Sequence, residues 1–175
     1  MTTSVILGLP GSGKSRLAIA LANALWEAGR PAYVLHTDLL KVNLRQCFPG
    51  DLRGPGYAGD FRGKCARVRP FLESQSVKAR RDGYALIVEG TLALEWAPEA
   101  GLRVILEIDE AERHRRIAAK HRSARLALEA QDSAGLAEYA RALAVLGGQD
   151  VLRLPAQSAL PESVARILDQ WPAVP

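Results

Sequence analysis

Cysteine is scarce in this chain: of 175 residues, two are cysteines, Cys47 and Cys65. They share no metal-ligand spacing and form no paired-cysteine motif, which excludes a disulfide scaffold and a structural zinc site and leaves free thiols of a reducing compartment. The histidines His36, His114 and His121 also lack ligand spacing and read as structural or surface residues. Aromatic residues make up only 6%. That leaves few platforms on which nucleic-acid bases would stack, and Trp26, Trp96 and Trp171 are scattered as core residues would be. No apolar run approaches the roughly 20 residues of a membrane span. The short run Val5–Leu9 leads into a glycine loop rather than a cleavage site, so no signal peptide and a cytoplasmic location are expected. No internal repeat, low-complexity tract or linker divides the chain.

What remains suffices for one compact domain spanning 1–175, because hydrophobic residues make up 48% and charged residues 24%. The net charge of +4 and pI near 9.3 suit an anionic substrate. They are too weak to argue nucleic-acid binding alone. Short apolar runs at Ser4–Gly8, Pro31–Leu35, Tyr84–Val88, Arg103–Ile108 and Val151–Leu154 read as five strands. Helical spacing separates them over Lys14–Ala28, Asp38–Gln46, Phe61–Asp82 with a restart at Pro70, Asp109–Ala130, Gly135–Leu146 and Pro161–Trp171. Short apolar strands alternating with helices predict an α/β fold, a five-stranded parallel sheet covered on both faces. The stretch CFPGDLRGPGYAGD, dense in glycine and proline, reads as a long functional loop. Residues 47–64 form a candidate substrate-loop region and 109–130 an arginine-rich, lid-like one.

The chemistry begins at GLPGSGKS, Gly8–Ser15, which matches G-x-x-x-x-G-K-[ST] between a strand and a helix. Gly8, Gly11 and Gly13 allow backbone conformations that a side chain would forbid, so the amides of Gly11, Ser12 and Gly13 converge on phosphates at the helix N-terminus. Lys14 supplies a mobile charge for the β- and γ-phosphates, Ser15 a hydroxyl for Mg²⁺, and the adjoining Arg16 a further cation for the nucleotide. Asp38 in LHTDLL follows the second strand, at the sheet edge where open parallel sheets bind ligands. Its carboxylate reads equally as the base that takes a proton from an attacking hydroxyl and as a plain helix cap. Glu89 and Thr91 in YALIVEGT end the third strand, where the carboxylate can position Mg²⁺ or hold an acceptor hydroxyl. In ERHRRIAAKHRSAR the arginines are candidates to neutralise phosphoryl charge, the alternative being a solvated face pairing with Glu110 and Glu112. At about 3.6 residues per turn, Arg113, Arg116 and Lys120 share one stripe, with Arg115 and Arg122 nearly opposite. Arg113 and Arg125 reach one nucleotide only if the helix breaks near His121–Ser123. Tyr57, with Arg53 and Arg62 near it, is a candidate lining of an acceptor pocket.

These motifs, in this order, resemble the small P-loop kinases grouped with the zeta toxins, whose members phosphorylate the nucleotide sugar UDP-N-acetylglucosamine. Polynucleotide kinases and metabolite or antibiotic kinases are wider relatives. The resemblance rests on GLPGSGKS, LHTDLLKVNLRQCFP, RDGYALIVEGT and ERHRRIAAKHRSAR. It implies strand order 2-3-1-4-5, ATP and Mg²⁺ on Lys14 and Ser15, and Asp38 as base. It also implies Glu89 and Thr91 near the acceptor, and Arg113 and Arg125, with Arg122 beside them, on the phosphates. The expected activity is transfer of the ATP γ-phosphate to a hydroxyl of a small molecule, such as a nucleotide sugar. The alternatives are a polynucleotide 5′-hydroxyl kinase and a non-catalytic nucleotide switch. The sequence names no protein partner, antitoxin-like or other, and no membrane association.

Overall fold

A computed structural model describes residues 3–44, 60–120, 134–146 and 151–171, the side chains of 41–44 and 120 excepted. Cys47, Arg53, Tyr57, Arg122 and Arg125 lie outside the described residues, as does the expected helix break near His121–Ser123. Five strands, β1 (Thr3–Gly8), β2 (Ala32–His36), β3 (Ala85–Glu89), β4 (Leu102–Glu107) and β5 (Val151–Pro155), form one parallel sheet in the order β2-β3-β1-β4-β5. This is the single-domain P-loop kinase fold with the expected strand order. Among the described residues, six helices flank the sheet: α1 (Lys14–Glu27), α2 (Thr37–Leu44), α3 (Phe61–Asp82), α4 (Glu110–Lys120), α5 (Ala134–Val145) and α6 (Leu160–Asp169). Two short 3₁₀ turns, Thr91–Ala93 and Ala97–Glu99, follow β3.

The strand residues alternate between two cores, as the two-residue period of a strand requires. Val5, Leu7, Leu86, Val88 and Ile105 face α3 and α5, with Phe61, Leu72, Trp96 and Tyr139. Ile6, Ile87, Val104, Leu152 and Leu154 face α1 and α6, with Leu17, Leu21, Leu25 and Ile167. The same parity continues past the last apolar residue. Glu89 therefore falls on the α1 face of β3, two residues after Ile87, and His36 falls on the α1 face of β2, two residues after Val34.

Three local expectations are corrected. The helix over Phe61–Asp82 runs through Pro70 without a restart. Pro70 and the Ala66 carbonyl it leaves unpaired lie on exposed residues, where water replaces the lost bond. Asp38 is not the cap of α2, because the helix starts at Thr37; Asp38 sits in the first turn, where its charge still favours the helix N-terminus. Trp26 is 59% exposed rather than core, its Nε1 donating to the Ala32 carbonyl at 3.1 Å, whereas Trp96 and Trp171 are buried. Cys65 is a buried free thiol, and burial pushes its pKa up to about 12. Among the described residues, no helix is long and apolar enough to cross a membrane.

The exits of β2 and β3 approach closely. Gly90 has φ 117°, and a Cβ there would lie 2.1 Å from Thr37 Oγ1. Gly90→Ala should lower the unfolding free energy by at least about 2 kcal/mol, from backbone strain and clash together. Thr37→Ala in the same chain should recover the clash and leave the strain. Urea unfolding of the two variants checks both statements.

Candidate functional site

β1 ends at Gly8, and the chain must turn sharply there to deliver the loop 9–13 beneath the first turn of α1. Gly8 has φ 148°, and a Cβ would lie 2.7 Å from both the Leu106 carbonyl and Ser12 Oγ, so no other residue fits. Ser12 N–H donates to the Leu9 carbonyl at 3.1 Å and closes the loop. Gly13 takes the cap position of α1 in a left-handed conformation, with no side-chain cap and no acidic residue in the first turn. The leading amides of α1 are thus claimed by no capping side chain and favour an anion. Lys14 Nζ donates to the Leu9 carbonyl at 3.2 Å, across the mouth of the loop. The Ser12 hydroxyl is buried without a partner among the described residues.

From the α1 face, Glu89 meets this loop. Ser15 Oγ donates to Glu89 Oε1 at 3.0 Å. The same oxygen lies 2.6 Å from His36 Nδ1. A carboxylate only accepts, so Nδ1 carries the proton in this contact. The parallel register places His36 directly beside Glu89, and Glu89 beside Ile6 of β1. The carboxylate is only 5% exposed; the two donors compensate the burial of its charge.

From the opposite face, Tyr139 of α5 meets the loop. Its hydroxyl accepts from Gly8 N–H at 3.2 Å and donates to the Gly8 carbonyl at 3.3 Å. Burial raises the phenol above its ordinary range, and the hydrogen bond with Gly8 opposes the rise. Asp38 itself is exposed, two residues past His36. Thr37 and Thr91 beside it are buried, and their hydroxyls find no partner among the described residues.

A cleft of about 400 Å³ opens on the other side of the loop, lined by Gly13, Arg16, Arg116, Pro155, Ala156 and Gln157 among others. Arg116 ties its walls together. Its guanidinium donates to the Gly11 and Ser12 carbonyls at 3.5 Å each, and to the Ala156 carbonyl at 3.2 Å. Glu112 Oε1 accepts from Arg116 Nε at 2.6 Å and holds it in place. Arg115 points away, 76% exposed, and pairs with the same carboxylate. Arg113 is 5% exposed and packs on the loop: a Cβ at Gly11 would lie 3.7 Å from its Cγ. Its Nη2 donates to His114 Nε2 at 2.9 Å, and its buried Nη1 has no partner among the described residues.

Of the candidates read from the sequence, the structure brings the loop Gly11–Ser15 together with Arg16, Glu89 and Arg113. The Arg62 guanidinium bonds Glu138 at 2.7 Å and Glu95 at 3.2 Å. His36 and Tyr139, which contact Glu89 and Gly8, were not among those candidates, and Arg116 was read only as one of the arginine cluster. His36 had one available signal: it ends β2 with the same parity with which Glu89 ends β3.

The donor set fits the groups that the loop implies. Open helix amides, a lysine and an unpaired buried hydroxyl suit a polyphosphate. Ser15 and Glu89 are hard oxygen donors; because Ser15 gives its proton to Glu89, its lone pairs remain for a cation. Among the described residues, no cluster of three His, Cys, Asp or Glu could hold a metal alone.

Comparison with known proteins bears on both the family and the fold. Residues 2–51, under a third of the chain, match the family model described as adenylylsulphate kinase. Among solved structures, the chain is similar to the Mycobacterium tuberculosis APS kinase in complex with AMPPNP and APS, at 22% identity and TM-score 0.57, over 97% of this chain and 96% of that one. No curated protein matches the chain. These matches overturn the resemblance to the zeta toxins. The stretch that carried its first two motifs, GLPGSGKS and LHTDLLKVNLRQCFP, lies within the part matched by the adenylylsulphate kinase model, and the nucleotide-sugar acceptor loses its support. The motifs handle phosphate and proton, needs common to many kinases, and do not read the acceptor. The chain has the fold of a P-loop ATP-dependent kinase.

The Glu112 contacts carry a pH dependence. Hydrogen bonds first from Arg115 and then from Arg116 hold its carboxyl down to about 2, from an ordinary 4.5. A lowered folded-state pKa contributes stability that is present above the unfolded value and lost as pH falls through the folded one. Acid unfolding of Glu112→Gln should therefore differ from wild type at pH 5, and the difference should vanish between about pH 4.5 and 2.

Proposed function

We propose that the chain transfers the γ-phosphate of ATP to a hydroxyl of a small-molecule acceptor, with adenylylsulphate as the first candidate. The Ser15–Glu89 contact carries the reading. It sets a hydroxyl and a buried carboxylate face to face at the end of an uncapped helix, an arrangement suited to a nucleotide triphosphate and its cation. Adenylylsulphate comes first because residues 2–51 match the adenylylsulphate kinase family model and the APS kinase of similar fold is solved with APS.

In this reading the amides of Gly11–Ser15 and the Lys14 ammonium hold the β- and γ-phosphates. Arg16 and Arg116 border the remainder of the nucleotide in the adjoining cleft. Mg²⁺, bound through Ser15 and Glu89, would neutralise phosphate charge. Asp38 takes the proton of the acceptor hydroxyl as its oxygen forms the bond to γ-phosphorus and the bond to the ADP oxygen breaks. Thr37 and Thr91 flank that hydroxyl. The unpaired Nη1 of Arg113 supplies a donor to the anion on the loop, and an anion there relieves a buried cation of an unsatisfied group. Arg122 and Arg125 are proposed to join it.

Two variants and one assay test this. Lys14→Met should lose nucleotide affinity and turnover together. Asp38→Asn should bind ATP within about twofold of wild type and lose transfer by roughly a hundredfold or more, the scale of a removed general base. The assay follows ADP release and phosphorylated product with adenylylsulphate as acceptor. Turnover of a different hydroxyl compound instead would replace the acceptor and leave the transfer reading intact. Full activity of Asp38→Asn would remove Asp38 as the base.

A further inference from the structure

The phosphate loop is gripped from both faces of the sheet, and the second grip has no part in the phosphotransferase reading given above. Tyr139 is fully buried and stands 131 residues from Gly8 in sequence. It lies against Phe61, ring centroids 5.6 Å apart and planes at 74°. Packing accounts for the ring. It does not account for the hydroxyl, which engages both backbone polar groups of one residue, Gly8, at 3.2 Å and 3.3 Å.

Gly8 is the joint at which strand becomes loop. On the β3 side, the pairing of β1 ends at Ile6–Glu89. Beyond it, sheet pairing continues only toward β4, to Gly8–Leu106. The φ of 148° and the two 2.7 Å approaches leave Gly8 no room for a side chain of its own to steady it. The hydroxyl of Tyr139 takes the Gly8 N–H and gives its proton to the Gly8 carbonyl, so it fixes the peptides on both sides of the joint. The direction of every loop amide beyond depends on those two peptides. Phenylalanine would keep the ring contact and leave both groups unpaired in the core, where an unmade hydrogen bond is expensive.

We propose that Tyr139 is a positioning residue for the triphosphate cradle, setting the aim of the loop amides through its paired hydrogen bonds to Gly8. The inference rests on the phosphotransferase reading, because it assigns Tyr139 to nucleotide binding and not to the acceptor or to proton transfer.

The test compares Tyr139→Phe with Phe61→Leu, which disturbs the same ring contact and does not touch the loop. Calorimetry with ATP and Mg²⁺ on the folded full chain gives affinity, thermal melting gives stability, and steady-state kinetics separate the two KM values. Tyr139→Phe should raise the ATP dissociation constant and the ATP KM roughly tenfold, with the acceptor KM within about twofold. Phe61→Leu should lose at least as much thermal stability and keep its ATP affinity within about twofold of wild type. Unchanged ATP affinity in Tyr139→Phe would overturn the proposal. So would equal losses of affinity in both variants, which would make Tyr139 a packing residue only. Should Tyr139→Phe not fold, NMR of the wild type decides: saturation with AMPPNP and Mg²⁺ should shift the Gly8 amide and the Tyr139 ring signals. Still signals would refute the tie. A wild type that binds no nucleotide would sink the phosphotransferase reading itself, and this inference with it.

Discussion

One oxygen atom, Oε1 of Glu89, holds the functional edge of this protein together. It accepts from Ser15 and stands 2.6 Å from His36, so the ends of β2 and β3 and the first turn of α1 meet at a single buried charge. Burying a carboxylate costs several kcal/mol unless donors surround it. Here the donors come from parts of the chain that must otherwise be aligned by the sheet alone. The register that sets His36 beside Glu89 and the parity that turns both toward α1 are the preconditions. A slip of one residue in β3 would send Glu89 to the opposite face and place Val88 against Ser15.

The other half of the constraint is the backbone of the loop. Gly8 admits no side chain, Gly13 leaves α1 uncapped, and the Tyr139 hydroxyl closes the joint from the α5 side. The loop is thereby held by a charge on one face and a neutral phenol on the other, with Arg116 bracing its carbonyls from the adjoining cleft. These contacts keep the loop shaped for a polyphosphate, and a binding surface that is already shaped has less ordering to undergo when the ligand arrives. Among the described residues, the Thr37 and Thr91 hydroxyls and Arg113 Nη1 find no partner, and each belongs to a segment at the carboxyl end of the sheet.

Much of this was legible in the sequence. The five strands follow from apolar runs ended by polar residues and the phosphate loop from its glycines and lysine, whereas the strand order came only from the family resemblance; Glu89 announces itself as the first acid after an unbroken apolar strand. Asp38 stood out by its place after β2, though the helix begins one residue earlier than that reading suggests. His36 was missed because its role depends on the register between two strands that are far apart in sequence. Tyr139 was missed because a tyrosine on a helix among apolar neighbours looks like core, and its ring is core; only the hydroxyl is more. Pro70 misled because the rule against proline in helices assumes a carbonyl with nowhere to turn, and here it faces water. The family was misread for a chemical reason: glycine loop, acid and arginines report how phosphate is moved and say little of where it goes.

The central claim is that Glu89 serves the cation that accompanies the triphosphate, and it can be measured directly. Calorimetric titration of ATP into wild type and Glu89→Gln, each with and without Mg²⁺, separates the cation from the nucleotide. The account predicts equal affinities without Mg²⁺, since Gln can still accept from Ser15, and a gain on adding Mg²⁺ that is at least roughly tenfold smaller in the variant. The same Mg²⁺-dependent gain in both proteins would contradict it.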